Sequence, residues 1–216
     1  MNTQNNKMNL LGSVPVPRAL LSMGLPTMAG MLINALYSLA DTYFVGGLGT
    51  VQMAAVTVAY PLGQIVVGLG LLFGNGAAAY LSRLLGQDNR KTANAVASTA
   101  LYSSIGIGAI AILLSLFFLQ PILRQFGALA DIMPYALSYS RIYIIFSIFN
   151  VFNVAMNNIV SSEGAARTAM LALMSGAVIN VILDPIFIYT LGLGVSGAAI
   201  ATALSQMVSS AIYITY

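Results

Sequence analysis

Cysteine, histidine and tryptophan are absent from this sequence of 216 residues. The first absence excludes disulfides and thiol chemistry. The second excludes imidazole acid–base catalysis and the common zinc sites. Charge is almost as scarce, at 6% of residues, where a soluble domain carries about 25%. The acidic residues are Asp41, Asp88, Asp131, Glu163 and Asp184, so any carboxylate mechanism must draw on these five. No dense basic patch with interleaved aromatics is present, which argues against nucleic acid as a partner. What fills the chain instead is apolar: 59% hydrophobic residues and a mean hydropathy of +0.90. That balance belongs to a polytopic membrane protein whose solvent is the lipid bilayer.

A helix crossing the bilayer needs about 20 apolar residues. Six stretches meet that length, at 19–45, 53–81, 93–119, 132–160, 168–190 and 196–216. The fold class expected is therefore all-α, with six transmembrane helices in one lobe over 19–216. Residues 1–18 read as a cytoplasmic N-terminal segment. They do not read as a cleaved signal peptide, because the start is weakly basic and the apolar stretch that follows is too long. Gly46-Gly47-Leu48-Gly49-Thr50 is expected to turn tightly, and 86–91 to form a polar loop. Gln120-Pro121 is expected to close the third span, Ser161–Gly164 the fourth and Gly192-Leu193-Gly194 the fifth. Lys7, Arg18, Arg83, Arg90, Lys91 and Arg167 collect on one side of this topology, with Arg124 on the other and Arg141 inside the fourth span. The positive-inside rule then sets the N-terminus in the cytoplasm, for a multi-pass protein of the plasma membrane.

The stretch 178–206 concentrates polar groups at membrane depth. Asp184 lies in an apolar run with Asn180 one turn before it and Pro185 directly after it. A carboxylate there costs roughly 3 kcal/mol on insertion scales, so it faces a bundle interior or a wet cavity. Pro185 lacks an N–H, should free the carbonyl of Val181 and should kink the helix. Asp41 sits late in the first span, with Tyr37 one turn earlier on the same face. Both Asp residues precede a Leu-Gly turn by seven residues, which sets them at similar depth. An Asp near a helix end can also reach the membrane interface, and that reading suits Asp41 better than Asp184. Thr202 adds a hydroxyl one turn after Ala198 in the sixth span. Oxygens and an amide suit Na⁺, and a dry carboxylate pair suits a proton. The residues leave that choice open. Asn150, Asn153 and Asn157 share one face of the fourth span, while Asn34 and Gln64 add amides to the first and second. Substrate contact and interhelical hydrogen bonding explain these amides equally well. Gly68, Gly70, Gly74 and Gly76 lack a following Lys-Ser/Thr, so they are read as helix packing or flexing rather than as a nucleotide loop. Nothing here assembles an enzyme's active site, and no cofactor is expected.

Four stretches in order resemble the N-terminal half of a multidrug and toxic compound extrusion (MATE) transporter. They are Leu25-Pro26 leading to Ala40-Asp41-Thr42-x-Phe44-Val45-Gly46 with Ala54-Ala55-Val56, then Gly70-x-x-x-Gly74-x-Gly76 through Ser82-Arg83-x-x-Gly86. Next come Asn180-x-x-x-Asp184-Pro185 and Gly194-x-x-Gly197-Ala198-Ala199-x-Ala201-Thr202. The resemblance implies one six-helix lobe of a twelve-helix transporter, exporting amphipathic, often cationic drugs against inward Na⁺ or H⁺. Its ion site would fall on Asp41, Asn180, Asp184 and Thr202, with the backbone of Ala198 near. Tyr37, Asn34, Gln64, Asn153 and Asn157 would face the substrate. A member of that family has a second lobe, so this sequence is expected to be a fragment, or a half that pairs with another copy. Two further readings stand beside it: a flippase for lipid-linked saccharides on a related fold, which would want Arg141 in its cavity, and a non-transporting membrane subunit.

Overall fold

A computed structural model of the chain describes residues 15–216, apart from the side chains of Val16, Arg18, Ala19, Ser22 and Met23. The expected polar segment therefore lies outside the described residues over 1–14, Lys7 included. Helix already begins within the remainder of that segment, at Val16.

Among the described residues, six long helices and one short one follow in order: α1 (Val16–Gly46), α2 (Thr50–Gly86), α3 (Arg90–Phe117), α4 (Leu119–Gln125), α5 (Met133–Ser162), α6 (Ala166–Pro185) and α7 (Gly194–Ile214). A π-helical turn, Ile186–Thr190, continues α6. Among the described residues, five helices are long and apolar enough to cross a membrane: α2, α3, α5, α6 with its π turn, and α7. At 31 residues, α1 also exceeds the length a bilayer requires. The connections expected at 46–50, 86–91, 161–164 and 192–194 are short. Gly49, Gly164, Gly192 and Gly194 all take the positive φ that L side chains avoid, and Asp88 does so between α2 and α3. Asn89 caps α3, accepting from the Thr92 N–H at 3.2 Å.

Two elements depart from the sequence reading. Gln120-Pro121 does not close the third span; α3 ends at Phe117 and the pair lies inside α4. Pro121 falls in the first turn of α4, where a missing N–H has no helical partner to lose. Pro185 does not simply kink α6. The chain widens instead into the π turn, closed by the Leu191 N–H to the Ile186 carbonyl at 2.8 Å, an i→i+5 bond. Pro26, by contrast, sits within an unbroken α1.

The helices assemble as two groups. α5 packs broadly on α2 and on α3; α6 packs on α1 and on α7; the α5–α7 contact joins the groups. α1 meets α2 and α7 only thinly. α7 is the most enclosed of those five apolar helices, with more than half of its apolar stretch buried. Its run of Gly197, Ala198, Ala199, Ala201, Thr202, Ala203 and Ser205 explains this, because small residues admit neighbouring backbones closely. At Gly197 a Cβ would lie 2.5 Å from the Phe187 carbonyl oxygen, so only glycine lets the π turn approach. Gly70 and Gly74 of α2 seat α5 in the same way, against Val154 and Ala155, whereas Gly68 and Gly76 face open space.

Candidate functional site

The thin contact between α1 and α2 leaves a cavity of about 330 Å³, lined by α1, α2, α5 and one residue of α7. Asn34, Tyr37, Ser38 and Asp41 come from α1, and Thr57, Tyr60 and Gln64 from α2. Tyr139 and Tyr143 come from α5, and Thr202 from α7. The i, i+4 spacing stacks the Tyr139 and Tyr143 rings with centroids 5.8 Å apart and planes 12° apart. The wall is thus aromatic and polar, carries one carboxylate and includes no basic residue.

Asp184, Asn180 and Ala198 do not line this cavity. They lie behind it, all at most 1% exposed. Because Asn180 and Asp184 are one turn apart on α6, both face α7. Their neighbours orient the Asn180 amide: its Nδ2 donates to Asp184 Oδ2 at 2.9 Å, and its oxygen accepts from the Thr202 N–H at 3.2 Å. Asp184 Oδ1 is buried and has no hydrogen-bond partner among the described residues. An orphaned buried carboxylate oxygen is costly, and a proton or a small cation would complete it. Tyr37 engages the Thr202 side chain and lies within electrostatic reach of both carboxylates. Asp41 and Asp184 lie within reach of each other's charge. Thr202 and Tyr37 thus stand in the wall of the cavity that holds Asp41, and the backbone of Thr202 meets the Asn180 amide that engages the buried Asp184. Among the described residues no three His, Cys, Asp or Glu side chains converge, so the donor set is two carboxylates, an amide and hydroxyls. That set fits a proton or a monovalent hard cation better than a tightly held divalent one.

Of the amides expected at the substrate, Asn34 and Gln64 line the cavity with Tyr37. Asn153 and Asn157 do not; they belong to the α5–α7 seam. Asn153 Nδ2 donates to the Gln206 carbonyl at 2.8 Å and to Gln206 Oε1 at 2.7 Å, and its Oδ1 accepts from Ser210 Oγ at 2.8 Å. Asn157 Nδ2 donates to the Tyr213 hydroxyl at 3.0 Å. Asn150 borders the same seam, beside Ser147 and Gln206. Arg141 is exposed and absent from the cavity wall. Sequence reasoning missed Tyr60, Tyr139 and Tyr143, although Tyr135, Tyr139 and Tyr143 repeat at helical spacing in α5.

A family model described as MatE matches residues 26–186. Among curated relatives, the multidrug export protein MepA of Staphylococcus aureus (strain NCTC 8325 / PS 47) is 32% identical over 203 residues, covering 94% of this chain and 45% of its own. MepA of Staphylococcus saprophyticus is 31% identical over 200 residues, covering 92% and 44%. Among solved structures, a MOP superfamily transporter from Pyrococcus furiosus, described as having a binding pocket of reverse polarity, superposes with a TM-score of 0.88. It is 36% identical, over 96% of this chain and 46% of that one. A MATE structure in the straight conformation gives a TM-score of 0.90 and one in the bent conformation 0.87, each at 36% identity and the same coverage. The chain spans less than half the length of these relatives.

Proposed function

The chain belongs to the MatE family of multidrug export transporters, and from that membership we propose that it is one lobe of a cation-coupled exporter of amphipathic, often cationic compounds. The lobe spans the plasma membrane with its N-terminus in the cytoplasm, and a second six-helix lobe closes the cavity. The observation that carries the coupling is Asp184: fully buried, bridged by Asn180 to α7, with one oxygen unpartnered and a second carboxylate within reach of its charge. An incoming Na⁺ or H⁺ occupies Asp41, Asn180, Asp184 and Thr202. Ion uptake neutralises Asp41 in the cavity wall. The aromatic and carboxylate wall that held a cationic drug then loses its charge complementarity, and the drug leaves outward. Only interactions that differ between the two states shift such an equilibrium.

The test is efflux of a fluorescent cationic dye by the full reading frame, with Na⁺ and pH varied independently. Asp184→Asn keeps the shape and the Asn180 hydrogen bond but cannot ionise. It should abolish gradient-dependent efflux while inserting normally, and unaltered efflux would sink the assignment. The flippase reading finds no support, since no basic residue among those described lines the cavity, Arg141 included. Nor does a non-transporting subunit explain a carboxylate held at a cost of roughly 3 kcal/mol inside the membrane.

A further inference from the structure

α1 carries Asp41 yet has the thinnest lateral support among the long helices that border the cavity. Its last turn ends at Gly46, where carbonyls run out of helical donors. The Gly47 N–H goes to Tyr43 and the Leu48 N–H to Val45, which skips the Phe44 carbonyl. That carbonyl is taken by the Tyr189 hydroxyl, at 2.5 Å, across 145 residues of sequence. Tyr189 belongs to the π turn that begins directly after Asp184-Pro185. Its ring also meets Phe44 edge-on, with centroids 6.4 Å apart and planes at 70°. Gly47 makes room for it, because a Cβ there would lie 2.3 Å from the hydroxyl.

We propose that Tyr189 is a positioning residue of the ion site: its hydroxyl caps α1 and ties that helix to the π turn, so that Asp41 and Asp184 are held as one site. The inference rests on the functional reading above and adds a mechanical link that the reading does not require. The link explains why the widened turn sits where it does. An α-helical continuation of α6 would carry position 189 round the axis, away from Phe44. It also accounts for glycine at 47, a position whose own φ of −66° any residue could adopt.

The full reading frame tests it; these 216 residues hold no cysteine, and any cysteine elsewhere in the frame is replaced so that labelling is specific. Spin labels at Leu39→Cys on α1 and Leu113→Cys on α3 report the distance between α1 and the α2–α3–α5 group; both side chains are exposed. With Tyr189 intact the distribution should be narrow. Tyr189→Phe keeps the ring and removes only the hydroxyl, and should add a longer-distance population. The ion concentration that half-saturates dye efflux should then rise about fivefold, the scale set by one hydrogen bond. Gly47→Ala should reproduce both effects, and the double variant should add nothing to either single one. An unchanged distribution and an unchanged half-saturation in Tyr189→Phe overturn the proposal, even if Asp184→Asn abolishes coupling. A shifted distribution beside unaltered efflux by Asp184→Asn upholds the link and removes the ion site instead.

Discussion

Asp184 has one oxygen engaged and one without a partner, and the difference between them is the chemistry of the site. Asn180 serves Oδ2 and, through its other end, the backbone of Thr202. Thr202 in turn meets Tyr37. Thr202→Val preserves shape and removes the hydroxyl, leaving Tyr37 short of a partner. The ion concentration for half-maximal efflux should rise about five- to tenfold, with maximal efflux retained at saturating ion; equal half-saturation in the two proteins would exclude Thr202 from the site. Asp41, Asn180, Asp184 and Thr202 stand out in the sequence as polar groups inside apolar runs, and the structure brings them near one another. What was not legible is that Asp41 lines the cavity while Asp184 is buried outside its wall, since spacing along a helix sets a face and not what stands in front of it. Asn153 and Asn157 misled for a related reason. Three amides at helical spacing mark a polar face, but whether that face looks onto a cavity or onto Gln206, Ser210 and Tyr213 depends on the neighbouring helix.

At the level of elements, two glycines a helical half-turn apart in α2 do different work. Gly70 lies under α5, where a Cβ would come within 2.7 Å of the Val154 Cβ, and Gly68 meets nothing within 4 Å. Gly70→Ala should lower the thermal midpoint in detergent by an amount equivalent to about 1–3 kcal/mol, the usual cost of overpacking. Gly68→Ala should leave it unchanged or raise it slightly, since alanine is the better helix former. Equal midpoints for the two variants would contradict the packing described here. The sequence located the long helices because hydropathy reports length directly, and five of them are apolar enough to cross a membrane among the described residues. It missed α4 because proline was read as a terminator when it stood in a first turn, and it anticipated a kink where α6 instead gained a residue per turn.

The described helices form two groups joined along α5 and α7, with an open cavity on one side of that joint and a closed seam within it. Cysteine introduced at Gln64 should react with a membrane-impermeant maleimide in the intact transporter, and cysteine introduced at Asn153 should not. Asn153 is 4% exposed while Gln64 lines the cavity. Comparable labelling at both positions would mean that the seam opens to water. The same arrangement predicts that Asn153→Leu harms stability before transport, because it strips three hydrogen bonds from the joint and none from the ion site. A lowered thermal midpoint with unaltered half-saturation would bear that out. Which helices flank the opening was beyond the sequence, since lateral contacts between spans leave no mark in hydropathy.

A π turn holds one residue more than the α turn it replaces, which makes the reading frame itself part of the site. In-frame loss of any single codon within 186–190 would let the helix close in the ordinary way. The side chains beyond the turn would keep roughly their facing, because the deletion removes the one residue that the wider turn accommodates. What would be lost is the bulge that carries Tyr189 to the Phe44 carbonyl. Such deletions should therefore loosen α1 as Tyr189→Phe does, although most of the residues removed are ordinary apolar ones.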